Sequence, residues 1–183
     1  MKTTATKIPG VCVVETTAHR DERGAFARLF CRESLRDVIG DRQILQVNHS
    51  RTRSPGAVRG LHFQYPPQAE MKFVRCVRGQ VWDVVVDLRA DSPTFLQWHA
   101  ETLDGNSLKM IVIPEGCAHG FQALEADSEM MYLHTATYQP AYEGGLLHDD
   151  PVLGISWPQP VTEVSARDRL HPFIDRSFSG IQL

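Results

Sequence analysis

The sequence predicts an all-β sandwich or barrel. Short apolar runs rich in Val, Ile, Phe, Tyr and Trp recur along nearly the whole chain, which is the rhythm of half-buried strands. Between the runs stand Gly, Pro, Asp and Asn, the residues that tight reversals need. Only one brief segment has helical spacing, so the crossover helices of a parallel βαβ fold are missing.

In chain order the predicted strands are VCVVE (11–15), AFARLF (25–30), ILQVNHS (44–50), KFVRCV (72–77), QVWDVVVDL (80–88), FLQWHAETL (95–103), LKMIVI (108–113) and EMMYLHTATY (129–138). The reversals are HRDERG, RSPG, VRG, RADSP, LDGN, PEG and EADS, which imply short antiparallel hairpins. RESLRDVI, residues 32–39, is the predicted helix. The proline-bearing stretch from Gln139 to Pro160 reads as a long surface excursion and a candidate lid.

A chain of 183 residues suits one well-packed domain over 1–183, and 42% hydrophobic with 22% charged residues is ordinary for a globular protein in water. No apolar stretch is long enough for a membrane helix, and Pro9, Gly10 and Glu15 interrupt any signal-like N-terminus, so a cytoplasmic location is expected. Cys12, Cys31, Cys76 and Cys117 lie far apart without C-x-x-C spacing, as core-filling reduced thiols do. A net charge of −3 with scattered Lys and Arg gives no stripe for nucleic acid.

Alternation along strands sorts side chains by face. Lys72 shares a face with Val74 and Cys76, where a lysine either snorkels to water or serves a partly dry site. Met130, Tyr132, His134 and Tyr138 share another, as core aromatics or as the wall of a site. Trp82, Val84, Val86 and Leu88 form an apolar face that leaves Asp83 and Asp87 opposite, each placed to orient a histidine or to make an ordinary ion pair. Gly60, His62 and Gln64 lie together, and His119 follows a Pro-Glu-Gly turn. Two histidines, a lysine and phenols on inward faces form an acid/base set.

The string Pro114-Glu115-Gly116-Cys117-Ala118-His119 is similar to the second cupin motif, P-x-G-x-x-H. The places of the first motif, which in metal-binding cupins hold H-x-H and a glutamate, here hold His62, Gln64 and then Gln68 or Ala69. Neutral groups at two of four ligand places favour a cupin without metal or other cofactor.

A fuller set of motifs resembles the dTDP-4-dehydrorhamnose 3,5-epimerase family: Arg59-Gly60-Leu61-His62-Phe63-Gln64, Pro66-Pro67, Lys72, Val81 to Arg89, Ser92-Pro93-Thr94, PEGCAHGF, Asp149-Asp150-Pro151, Trp157-Pro158 and Ser165 to Asp168. The resemblance implies a cupin jelly roll with a few short helices, a homodimer, and a nucleoside-diphosphate deoxysugar as substrate. It implies His62 as base with Asp168 as its partner, Tyr132 as acid and Lys72 as the clamp on an enolate oxygen. It further implies Arg59 and His119 on the diphosphate or sugar, Tyr138 on the pyrimidine, and substrate contacts at Arg23, Arg28, Gln46, Asn48, Glu143 and Arg167. Compared with familiar members of the rhamnose pathway, Arg28 stands in place of glutamate, Leu133 of lysine, Arg167 of lysine and His148 of tryptophan. These departures bear on which sugar and nucleotide are taken and leave the base, acid and clamp in place. Inversion at C3 alone is the rival outcome, since one base and one acid serve both centres and ring flipping or product release decides whether C5 follows.

Overall fold

The computed structural model describes residues 1–183. Its elements are β1 (Lys2–Ala5), β2 (Cys12–Glu15), β3 (His19–Asp21), β4 (Gly24–Phe26), α1 (Arg36–Ile39), β5 (Gln46–Thr52), β6 (Val58–Gln64), β7 (Lys72–Arg78) and β8 (Gln80–Asp87). They continue with β9 (Trp98–Asp104), β10 (Met110–Ile113), β11 (Cys117–Ala123), β12 (Ser128–His134) and β13 (Glu143–Gly145), and one-turn 3-10 helices cover Pro140–Tyr142 and Asp168–Leu170. Six strands form one sheet in the order β1-β2-β10-β7-β12-β5, five form a second in the order β13-β6-β11-β8-β9, and β3 with β4 makes a separate ribbon. All pairs within these sheets are antiparallel. The non-sequential order is that of a jelly roll, the predicted class.

Alternation explains how the two sheets stack. Val74, Cys76 and Met130 of the first sheet and Val81, Val85 and Phe121 of the second meet in one buried cluster between them. The opposite side of β7 puts Phe73 into a cluster covered by Leu35 and Ile39, and the opposite side of β8 puts Val84, Val86 and Leu88 under Leu146, Leu153 and Trp157. The outer faces are therefore covered at β7 and at β8. Phe73 has no exposed surface, and burying such a side chain is worth about 1.5–3 kcal/mol.

Three expectations are corrected. The helix spans only residues 36–39; before it the Leu35 N–H bonds the Cys31 and Arg32 carbonyls in successive turns, and Gly40 follows with φ 59°. Leu35 and Ile39 are the segment's only fully buried apolar pair, too little to hold a longer helix against its nucleation cost. AFARLF leaves strand geometry after Phe26: Phe30 turns in to meet the Phe73 ring edge-on at 5.6 Å, and the Leu29 carbonyl accepts from the buried Arg75. The excursion from Gln139 to Pro160 does not run free over the surface: it carries β13 into the five-stranded sheet and then covers that sheet, pinned by Trp98 Nε1 donating to the Leu153 carbonyl at 2.9 Å and Trp157 Nε1 to that of His148 at 2.8 Å.

Candidate active site

The two sheets part toward the β5 and β13 edges, leaving a cleft of about 1180 Å³. One wall is β6, and its geometry depends on a bulge. His62 lies opposite His119 of β11, yet Arg59 lies opposite Phe121, so β6 carries one extra residue over this span. Gly60 takes φ +117° there, and a Cβ on it would stand 2.6 Å from the Gly120 Cα and 2.7 Å from the His119 oxygen. The extra residue brings Arg59 and His62, three apart, onto the same cleft.

His62 Nε2 lies 2.9 Å from Asp168 Oδ1. Asp168 opens a 3-10 turn, its N–H donates to Ser165 Oγ at 3.0 Å, and its Oδ2 accepts from the Gly60 N–H at 3.3 Å. Burial alone would raise its pKa; the hydrogen bond and charge of His62, the Gly60 N–H and Ser165 outweigh that and hold the carboxyl well below the usual range. An ionised Asp168 demands a donor, so the His62 proton sits on Nε2 and Nδ1 keeps its lone pair. Arg167 closes the outside of the dyad, with Nε 3.3 Å from Asp168 Oδ1 and NH1 3.2 Å from Glu143 Oε1.

The facing wall belongs to the other sheet. Tyr132 on β12 shares a hydrogen bond of 2.9 Å with Ser50 Oγ, and burial pushes its phenol pKa strongly upward, so it holds a proton to give. Lys72 opens β7 and is buried: its Nζ donates to the His62 carbonyl at 3.1 Å and lies 3.2 Å from Glu70 Oε1. It does not snorkel to water. Glu70, unforeseen from sequence because it sits in the irregular link between β6 and β7, also accepts from His134 Nδ1 at 2.9 Å. Burial works against its charge, but His134 and Lys72 together keep its pKa low.

Of the two aspartates on β8, Asp83 is the one that orients a histidine, with Oδ2 2.8 Å from His119 Nε2, while Asp87 anchors a turn through Arg89, Ser92 and Thr94. Desolvation raises the pKa of the fully buried Asp83; those same turn partners outweigh burial at Asp87 and lower it to about 2. His119 packs edge-on against the Tyr132 ring at 6.2 Å. Arg59 has no carboxylate partner; its Nε donates to Thr52 Oγ1 at 3.0 Å and its NH2 to the Arg51 carbonyl at 3.2 Å, leaving the rest of the fork open to the cleft. Asn48, Tyr138 and Glu143 line the cleft as well, and Gln46 stands behind Asn48, donating to its Oδ1 at 3.0 Å. Tyr138 lies past the end of β12 and outside its alternation.

Within one chain Arg23 and Arg28 do not reach this cleft. Arg23 extends from the β3–β4 ribbon and is spent on Asp21 at 2.6 Å, and Arg28 lines a separate small cavity beside His19 and Phe26.

Gln64, at a cupin ligand place, is committed to structure: its Nε2 donates to the Gln68 and Thr137 carbonyls and its Oε1 accepts from the Gln139 N–H. His62, Asp168 and His171 have potential ligand atoms within 4.8 Å of one another, but the Arg167 guanidinium, with NH2 3.1 Å from His62 Nε2, places a like charge on any cation's approach. Activity is accordingly expected to survive exhaustive chelation. Loss of turnover with EDTA, restored by one specific metal, is the opposite outcome.

The family model described as dTDP-4-dehydrorhamnose 3,5-epimerase matches residues 5–176. A dTDP-4-dehydrorhamnose 3,5-epimerase of Salmonella typhimurium is 40% identical over 174 residues, covering 94% of each chain. A dTDP-4-dehydrorhamnose 3-epimerase of Streptomyces niveus is 38% identical over 162 residues, covering 88% of this chain and 78% of the relative. The solved structure of an epimerase from Mycobacterium tuberculosis superposes with a TM-score of 0.90 at 39% identity, over 94% of this chain and 88% of that one. A family model over nearly the whole length and a relative 40% identical over 94% of each chain place this chain in the dTDP-4-dehydrorhamnose 3,5-epimerase family, to which it belongs.

Proposed function

We propose that this protein is an isomerase that inverts a dTDP-linked 4-keto-6-deoxy sugar at C3 and C5, converting dTDP-4-dehydro-6-deoxyglucose to dTDP-4-dehydrorhamnose. The observation that carries this reading is the placement of the acid/base pair on different sheets: His62 projects from β6 and Tyr132 from β12, so a sugar between them meets a base on one face and an acid on the other. C3 and C5 both adjoin the C4 ketone, and removing a proton from either moves the electron pair onto the carbonyl oxygen. His62 Nδ1 takes the proton, and Asp168 stabilises the imidazolium that results. Lys72, fixed beside the His62 backbone in a dry pocket, stabilises the enolate oxygen. The Tyr132 hydroxyl returns a proton to the opposite face and the centre is inverted.

Arg59 takes a diphosphate oxygen through its open fork, where a charge-assisted hydrogen bond contributes about 1.5–3 kcal/mol. Arg59→Ala is therefore expected to weaken substrate binding by roughly ten- to hundredfold with a smaller change in kcat. Unchanged nucleotide affinity in a titration removes Arg59 from the site. Tyr138, its hydroxyl held by Glu143 at 2.9 Å, offers a ring at the cleft mouth for the pyrimidine, and His119 supports the sugar beside Tyr132.

The Streptomyces niveus relative supplies a second reading, inversion at C3 alone with the same residues. Proton NMR of the protein with dTDP-4-keto-6-deoxyglucose in deuterium oxide separates the two. Label and inversion at both carbons support the first, at C3 alone the second, and at neither carbon count against both.

The working unit is a homodimer in the cytoplasm. Val47 on the edge strand β5 and Phe26 on the β3–β4 ribbon are 61% and 71% exposed, apolar surface that a second copy covers. A second copy also supplies a role for Arg23 and Arg28, which their own chain leaves away from the cleft. Light scattering of the purified chain at the mass of one copy, 20.6 kDa, rules this assembly out.

A further inference from the structure

The buried Glu70 is not needed as a base, an acid or a phosphate ligand in the mechanism above, yet it sits where several polar side chains converge. Its Oε1 faces Lys72 and its Oε2 faces His134. A carboxylate accepts hydrogen bonds and does not donate them, and the low pKa of Glu70 keeps it in that form. The donor-acceptor sense of its neighbours follows by logic. His134 must carry a proton on Nδ1, so a neutral His134 presents the lone pair of Nε2. That lone pair lies 3.4 Å from Asn48 Nδ2, which donates to it. The Asn48 amide is thereby turned with Oδ1 toward Gln46, whose Nε2 donates at 3.0 Å. Gln46 Oε1 in turn accepts the Tyr138 N–H at 3.1 Å.

We propose that Glu70 is a positioning residue that sets the direction of this whole relay, from the Lys72 clamp to the backbone of Tyr138, so that Asn48, which lines the cleft, presents an N–H group and not its carbonyl to the substrate. Asn48 keeps one N–H not spent inside the relay, and Gln46 behind it holds the amide in that sense. A fixed donor suits a ligand whose exposed atoms are diphosphate, hydroxyl and pyrimidine carbonyl oxygens. The inference rests on the proposed function for what is bound, but the direction of the relay is a property of the free protein. It can be measured without any substrate.

Glu70→Gln makes the test sharp, because the amide keeps the shape of the carboxylate and can still accept from Lys72 through Oε1. Its Nε2 then donates to His134 Nδ1, which forces the imidazole proton to Nε2 and leaves Asn48 Nδ2 facing a donor. Asn48 must turn over, which sets its Nδ2 against Gln46 Nε2 and breaks that hydrogen bond, because Gln46 Oε1 is held by the Tyr138 N–H. Nitrogen-detected NMR of the histidine side chains at mildly alkaline pH is expected to show His134 protonated on Nδ1 in the native protein and on Nε2 in Glu70→Gln. Substrate KM is expected to rise about three- to tenfold with the loss of the Asn48 donor. A native His134 already protonated on Nε2 overturns the proposal, whatever the variant does. So does a variant in which the proton moves while KM stays at the native value. A protein with no epimerase activity on any 4-keto sugar nucleotide, but with the expected proton shift, overturns the functional reading and leaves the relay standing.

Discussion

His62→Ala is expected to stop deuterium entry at both C3 and C5 while leaving dTDP affinity close to native. The free nitrogen of this imidazole is fixed by an ionised partner, since Asp168 takes the Nε2 proton and leaves Nδ1 to act. One base serves both centres, so both exchange rates fall together, by about 10²–10⁴-fold for a positioned proton-transfer group. Solvent exchange followed by NMR and a nucleotide titration on the same sample check the two halves of the statement. Exchange near the native rate points to another base, and His134 is the next imidazole on the cleft. The substitution has a second, thermodynamic signature. Asp168 titrates below its ordinary value of 3.8, so it contributes stability above that pH which is lost as pH falls through the lower folded value. Removing His62 takes away the largest of the interactions that hold it down. Acid unfolding of the variant therefore begins at a higher pH than in the native protein, a shift that circular dichroism follows directly.

Tyr132→Phe separates the two halves of the reaction. The ring stays packed against the buried cluster between the sheets, but the hydroxyl bonded to Ser50 is gone and with it the proton that the far face receives. His62 still removes the α-proton and Lys72 still holds the enolate. Reprotonation now comes from the histidine side alone. In deuterium oxide the variant is expected to wash label into the sugar with retained configuration, while inversion falls by about 10²–10⁴-fold. Inversion at the native rate makes Tyr132 a packing residue and moves the search for the acid to Tyr138 or to water. Because loss of both exchange and inversion also arises from a displaced site, substrate binding is measured alongside.

Strand alternation made much of the sandwich legible. The face Trp82, Val84, Val86, Leu88 is buried under the 139–160 cover as a two-residue period demands, and Lys72 does share an inward face with Val74 and Cys76. What periodicity could not supply lies where the period breaks. Arg59 belongs with Leu61 by alternation and reaches the cleft through the bulge at Gly60, a signal visible in sequence only as a glycine inside a strand. Asp168 and Glu70 lie in irregular segments with no face to assign. The family motif singled out the first, and nothing singled out the second. Asp83 and Asp87 are equivalent by spacing; their roles differ because β11 delivers His119 to one and the turn after β8 folds over the other. Arg23 and Arg28 could be matched to a motif, but a motif does not say how far a ribbon stands from the cleft of its own chain.

His62 and Tyr132, the proposed base and acid, reside on separate sheets, and what holds those sheets apart is the apolar cluster around Val85, Phe121 and Met130. The gap across which a proton must be handed is thus set by the thickness of a hydrocarbon layer that touches no substrate. Residues of that layer act as spacers. Trimming one lets the sheets settle toward each other by an amount that depends on how far the cavity collapses, and enlarging one drives them apart. Selection for a well-filled core and selection for the span of the proton transfer therefore act on the same side chains.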